Sequence, residues 1–190
     1  GDDGYGSATG LLDATAPGSV FSHELNDLSI GHGISGTATG TLRWDQPAAI
    51  LADTVHFGRG KGGRGILEVP AGGTLRLGTA SEPLSSLRLA YDDSDGGSSA
   101  ATNAHLDFTT TDPVFEAHVS TELSIGRRTR GEGNASASGS LILGSNSTVV
   151  VGTKGIPAMV HVGFNQDNNL TSGDDGYGSA TGLLDATAPG

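Results

Sequence analysis

Oxygen-rich turns are the first residues of this chain that could do chemistry. Asp92-Asp93-Ser94-Asp95-Gly96-Gly97 and Asn165-Gln166-Asp167-Asn168-Asn169, the second followed by Asp174-Asp175-Gly176, place side-chain oxygens at every second residue of glycine-containing turns. Calcium takes such donors, about six to eight at a time. Asp92, Asp93, Asp95, Asn165, Asp167, Asn169, Asp174 and Asp175 are therefore the candidate calcium ligands. Neither segment completes an EF-hand loop with its distal bidentate Glu, and Asn and Asp are also ordinary residues of tight turns, which is the leading reading of both. Arg127, Arg128 and Arg130 form the one basic cluster, placed by the sequence in a loop, where they would meet Asp92–Asp95 of a neighbouring molecule and support lateral contacts. With no cysteine there is no disulfide, thiolate metal site or thiol nucleophile.

These residues have to be positioned by something, and the sequence shows what in its repeats. The string GDDGYGSATGLLDATAPG occupies Gly1–Gly18 and again Gly173–Gly190, an offset of 172 residues. Identity of that length reads as one period of a tandem array plus a short overlap. A looser period runs inside it. Leu28-Ser29-Ile30-Gly31, Val55-His56-Phe57-Gly58, Leu87-Arg88-Leu89-Ala90, Leu123-Ser124-Ile125-Gly126 and Val160-His161-Val162-Gly163 each read apolar, polar, apolar, small. Their spacings are 27, 32, 36 and 37 residues, and 40 more close the 172. A second set follows in each unit at Leu42, Leu67, Leu106, Leu141 and Leu184. A third is aligned as Ile50-Leu51-Ala52, Leu75-Arg76-Leu77, Val114-Phe115-Glu116, Val149-Val150-Val151 and Val20-Phe21-Ser22.

Short alternating runs bounded by Gly, Ser, Asn, Asp and Pro are the signature of strands with one buried face. Three per unit, with no helical period, predict an all-β chain. The expected architecture is a parallel β-solenoid (β-helix) of about five rungs, each of three short strands, per 172 residues, forming a single segment over 1–190 with rungs beginning near 28, 55, 87, 123 and 160. Glycine after the first strand lets the chain turn at positive φ. A string of β-sandwiches also has many short strands, but lacks such unit-to-unit correspondence.

Stacked rungs put like positions in columns. In the second column Asp13, Arg43, Glu68, Asp107 and Ile142 share one outward position, and Glu68 and Asp107 would stand about 5 Å apart, near the carboxylate separation of a retaining glycosidase. A solvated charge ladder explains the same residues, and no catalytic residue is assigned. His56 and His161 share an outward column with Ser29, Arg88 and Ser124, but through the repeat they sit two rungs apart, about 9–10 Å, too far to share a zinc ion.

The pattern from Leu123 to Gly126 and from Gly139 to Thr153, Gly-Ser-Leu-Ile-Leu-Gly-Ser-Asn-Ser-Thr-Val-Val-Val-Gly-Thr, resembles repeats of bacterial secreted β-helix proteins, among them autotransporter passenger domains and filamentous-haemagglutinin-like adhesins. The resemblance implies an extracellular or cell-surface structural role, and it names no ligand. The expectation is therefore a repeat of an extracellular filament or giant fibrous adhesin, stacking end to end on identical copies around the boundary residues Gly1, Gly18, Gly173 and Gly190. Surface glycans are candidate partners. The alternatives are a carbohydrate-active β-helix enzyme using Glu68, Asp107 and Asp13, or a glycan- or calcium-binding surface module. No cofactor is expected beyond calcium. Ten Lys and Arg against 21 Asp and Glu argue against nucleic acid, and no apolar run is long enough for a membrane span.

Overall fold

A computed structural model describes residues 6–16, 24–94, 100–129, 135–153, 155–166 and 178–187. In chain order the strands are β1 (Ala8–Ala14), β2 (Leu25–Gly33), β3 (Ala38–Trp44), β4 (Ala49–Ile50) and β5 (Ala52–Gly60). Then come β6 (Gly63–Glu68), β7 (Thr74–Leu77), β8 (Leu84–Asp92), β9 (Thr102–Asp107) and β10 (Val114–Arg128). The last four are β11 (Ser136–Ile142), β12 (Ser147–Val151), β13 (Met159–Asn165) and β14 (Ser179–Asp185). Among the described residues there are no helices, and hence none long and apolar enough to cross a membrane.

The protein is all-β, with its strands paired in parallel in two sheets. One sheet has the order β1-β3-β6-β9-β11-β14. The other runs β2-β5-β8-β10-β7-β4, with β12 and β13 also paired to β10. The 15-residue β10 explains that second order. Its first half pairs with β7 and β12, its second half with β8 and β13, and the register shifts between Val119 and Glu122.

Register follows the apolar alternation, because a one-residue slip would turn every side chain to the other face. Leu28, Val55, Leu87, Leu123 and Val160 are partners in succession across β2, β5, β8, β10 and β13. Leu42 pairs with Leu67, and Leu141 with both Leu106 and Leu184. The third apolar set is corrected. Ile50 lies opposite Leu77 rather than Leu75, Phe115 rather than Val114 lies opposite Leu75, and Val149 lies opposite Ala117. Packing selects that phase: Phe115, Ala117, Leu75 and Leu77 are buried, while Val114 is only half-buried. Val20-Phe21-Ser22 lies outside the described residues.

A single apolar core joins the columns, with Val55, Phe57, Leu87, Leu89, Leu123 and Ile125 from one side, Leu42, Trp44, Leu106 and Leu141 from another, and Ile50, Leu75, Leu77 and Phe115 from the third. Phe108 and Phe115 lock two columns together, ring centroids 4.4 Å apart. Gly31, Gly58, Gly126 and Gly163 all hold φ between 62° and 76°, and Ala90 takes the same left-handed conformation at 54°. The strands do not end there; they bend and continue.

Candidate functional site

Among the described residues, that bend creates the most extensive polar cluster. It brings the side chain two residues before the left-handed position against the one immediately after it. Two columns therefore meet on the outside of the second sheet. One is Ser29, His56, Arg88, Ser124 and His161; the other is His32, Arg59, Tyr91, Arg127 and Phe164. The His161 and Phe164 rings are 4.6 Å apart, those of His56 and Tyr91 5.6 Å, and the Arg88 guanidinium lies 4.5 Å above the Tyr91 ring. Arg127 spans Tyr91 and Phe164 at 5.7 and 5.4 Å.

Charge is paired along this strip. Arg59 donates to Asp27 at 3.0 Å and to Asp93 at 3.1 Å. Glu122, nearly fully buried, accepts from Arg88 at 2.8 Å and also from Ser124 and Arg127. Burial is the largest influence on Glu122 and raises its pKa, but the Ser124 and Arg88 hydrogen bonds and the Arg88 and Arg127 charges outweigh it, so the carboxyl titrates below its ordinary range. His56 is the opposite case. It is 1% exposed, and burial lowers its pKa to about 4 despite Asp27, whose carboxylate lies 3.6 Å from Nε2. Its Nδ1 is buried with no hydrogen-bond partner among the described residues. The outward histidine column is thus largely covered by its own neighbours.

The candidate calcium ligands are divided. Asp92 is buried, accepts from the Ser94 backbone and hydroxyl, and ion-pairs with Arg128 at 3.8 Å. Asp92 and Asn165 are both register partners of Arg128, so a buried guanidinium stands between the two oxygen-rich turns. Asp93 is held by Arg59, and Asn165 donates to the Gly178 carbonyl at 3.0 Å. Asp95, Asp167, Asn169, Asp174 and Asp175 lie outside the described residues, as do Arg130, Gly1, Gly18, Gly173 and Gly190. Among the described residues no group of three or more His, Asp or Glu side chains gathers to hold a metal ion. Arg127 and Arg128 are corrected in place: they end β10 rather than sit in a loop, and both serve carboxylates of their own chain.

The carboxylates of the first sheet form a ladder. Arg43 donates to Glu68 at 2.5 Å and stands 3.7 Å from Asp13, all three well exposed. Asp13, Asp107 and Asp185 each accept from the backbone and hydroxyl of the threonine two residues on, which holds all three carboxyls below their ordinary range. This Asp-x-Thr turn, repeated at the end of strands of the first sheet, is a sequence signal that alternation alone does not pick out.

The two edges of the first sheet are the other notable surface. β1 ladders only to β3 and β14 only to β11. Residues 8–13 and 180–185 are both Ala-Thr-Gly-Leu-Leu-Asp, so one six-residue sequence lies in both edge strands. The edges leave apolar columns open: Val160 and Val162 are 50% and 43% exposed, whereas their partners Leu123 and Ile125 are buried. At the other edge β1 and β2 border a recess of about 410 Å³ lined by Leu12, Leu28 and Ile30.

No family model, curated protein or solved structure matches this chain.

Proposed function

We propose that the chain is one period of a parallel β-solenoid that serves as the shaft of an extracellular bacterial filament or giant fibrous adhesin. The observation that carries this reading is the edge identity: the same six-residue run, Ala-Thr-Gly-Leu-Leu-Asp, lies in both the first and the last strand of the six-stranded sheet. A closed protein blunts its sheet edges with charge, proline or a covering element. Here each edge presents apolar side chains in columns already spaced for another strand. A contact between unlike ends that does not close on itself generates an open fibre. Chain order supports the coil. β3, β4 and β5 belong successively to the three columns, as do β6, β7 and β8, and again β11, β12 and β13.

Each coil then advances the axis by about 4.8 Å, and five coils by about 24 Å. Proteins of one, two and three 172-residue periods test this by small-angle scattering. The solenoid requires rods of constant cross-section that lengthen by about 24 Å per period. Compact bodies joined by flexible linkers would overturn it.

A further inference from the structure

We infer that the ridge formed by residues 78–83, with the recess on either side of it, is a docking site for a peptide segment of another protein, one carrying a basic and an apolar side chain about three residues apart. The site lies on the flank of the sheets, away from their ends, and does not depend on copies stacking.

Two glycines give this flank its relief. At Gly78 (φ 67°) and Gly152 (φ 69°) the backbone turns left-handed and swings outward on leaving the third column. Each is tied to the strand beside it: Gly78 donates to the Ile50 carbonyl and Gly152 to the Val119 carbonyl, both at 2.8 Å. The two loops that follow are closed by their own hydrogen bonds, Thr79 with Glu82 and Thr153 with Ile156. Between them β10 has no such glycine. It runs through the corner and absorbs the turn in its register shift between Val119 and Glu122. On the other side of the ridge β4 passes to β5 through Leu51 alone. The loop 78–83 therefore stands up between two depressions.

The depressions differ in chemistry. The one over β10, about 390 Å³, has Val119 in its floor, Ala80 and Pro83 on one side and Val150 and Ile156 on the other. Val150 and Ile156 are 38% and 65% exposed, so its wall is apolar surface left to water. The other, about 700 Å³, is lined by Glu24, Asp53 and Glu82, all exposed and none ion-paired among the described residues. Carboxylates that serve the fold are treated differently: Glu116 and Glu122 are met by arginines, and Asp107 by the donors of Thr109. No three of the described His, Asp or Glu side chains gather closely enough for a metal ion, so the acidic recess suits a long side-chain cation that the carboxylates share.

Pro83 lines both recesses, so one occupant can fill them together. Asp53 on β5 and Val119 on β10 are two strand levels apart, with β8 between, a span of about 10 Å. About three residues of extended chain cover that distance. Charge and shape together select a peptide. A glycan would leave its hydroxyls unpaired in the apolar slot, and an anionic membrane surface is repelled by the three carboxylates. A second copy has little to offer: Arg43, Arg59, Arg76, Arg88, Arg127 and Arg128 are already ion-paired within their own chain.

Two labelled peptides, Arg-Arg-Ser-Gly-Leu-Phe-Ser and its reverse, are titrated against the full chain by fluorescence anisotropy. At least one should bind saturably, and more weakly as salt rises. Replacing the three acids together (Glu24→Gln, Asp53→Asn, Glu82→Gln) should weaken it about tenfold, and so should Ile156→Ser. All four positions are exposed, and an unchanged unfolding midpoint shows that the fold is kept. Equal binding to the triple variant, or equal binding of a peptide with serine in place of its leucine and phenylalanine, would show general attraction of cations to an acidic chain and overturn the inference. No binding of either peptide at millimolar concentration would overturn it. So would self-association of the wild-type chain that Ile156→Ser abolishes, because the slot would then be filled by a second copy. The scattering series tests the solenoid separately from all of these.

Discussion

Substituting His56 by Gln isolates the one buried histidine among the described residues, whose titration is coupled to folding. Its ordinary pKa of 6.5 falls to about 4 in the folded chain, because burial disfavours the imidazolium and the Arg59 and Arg88 charges add to the effect, against Asp27 and Asp93. As the pH drops below 6.5 the unfolded chain takes the proton first. The stability that depends on a neutral His56 is therefore complete above about pH 6.5 and is lost progressively down to about pH 4. At pH 4.5 the loss amounts to roughly 2–3 kcal/mol, a large share of the stability of a small domain. Urea unfolding of wild type and His56→Gln at pH 7.5 and 4.5 reads it directly. The pH-dependent loss should be smaller in the variant by roughly 2–3 kcal/mol. The carboxylates held low, Glu122 among them, lose their contribution only at still lower pH and are common to both proteins. Parallel stability curves for the two, or a native-state His56 resonance titrating near 6.5, would refute the reasoning.

Other expectations follow from the same packing. Leu87→Ala, at the centre of its column and fully buried, should cost about 3 kcal/mol by chemical denaturation. Val160→Ala should cost less than about 1 kcal/mol in the single chain, but about as much as a buried valine in the inner copy of a three-period protein. Glu122→Gln leaves Arg88 and Arg127 without their shared carboxylate and should destabilise by about 3 kcal/mol at neutral pH. Gly58→Ala combines a left-handed φ of 68° with collision of the new methyl against the Asn103 carbonyl, and should cost roughly 2–4 kcal/mol. Ala90→Gly, at the equivalent level, relieves a left-handed alanine and should change stability by less than about 1 kcal/mol.

Alternation in Leu28-Ser29-Ile30 and its relatives made the strand content legible, because the buried face of each strand is written at every second residue. The third column was harder. Val149-Val150-Val151 and Val114-Phe115 are consecutive apolar residues that fit either phase, and only the packing of Phe115 and Ala117 selects one. The polar strip was not legible for a different reason. Outward positions are solvated in a straight strand, but a left-handed residue folds His56 towards Tyr91 and Arg88 onto it, so formally outward side chains become buried. The same bend misplaces Arg127 and Arg128 in a sequence reading: Gly126 resembles a strand terminator, yet β10 runs through it to Arg128. Once there, each guanidinium meets a carboxylate from far along the chain or across the bend, a pairing that depends on register rather than on local sequence.

The central claim is a continuous coil of stacked strands, and diffraction from oriented filaments of the native material or of a multi-period protein tests it most directly. The account predicts a meridional reflection near 4.8 Å, with an axial repeat of about 24 Å or a small multiple of it. Strands lying along the filament axis, or beads spaced by the diameter of a separate folded body with no 4.8 Å meridional order, would contradict it.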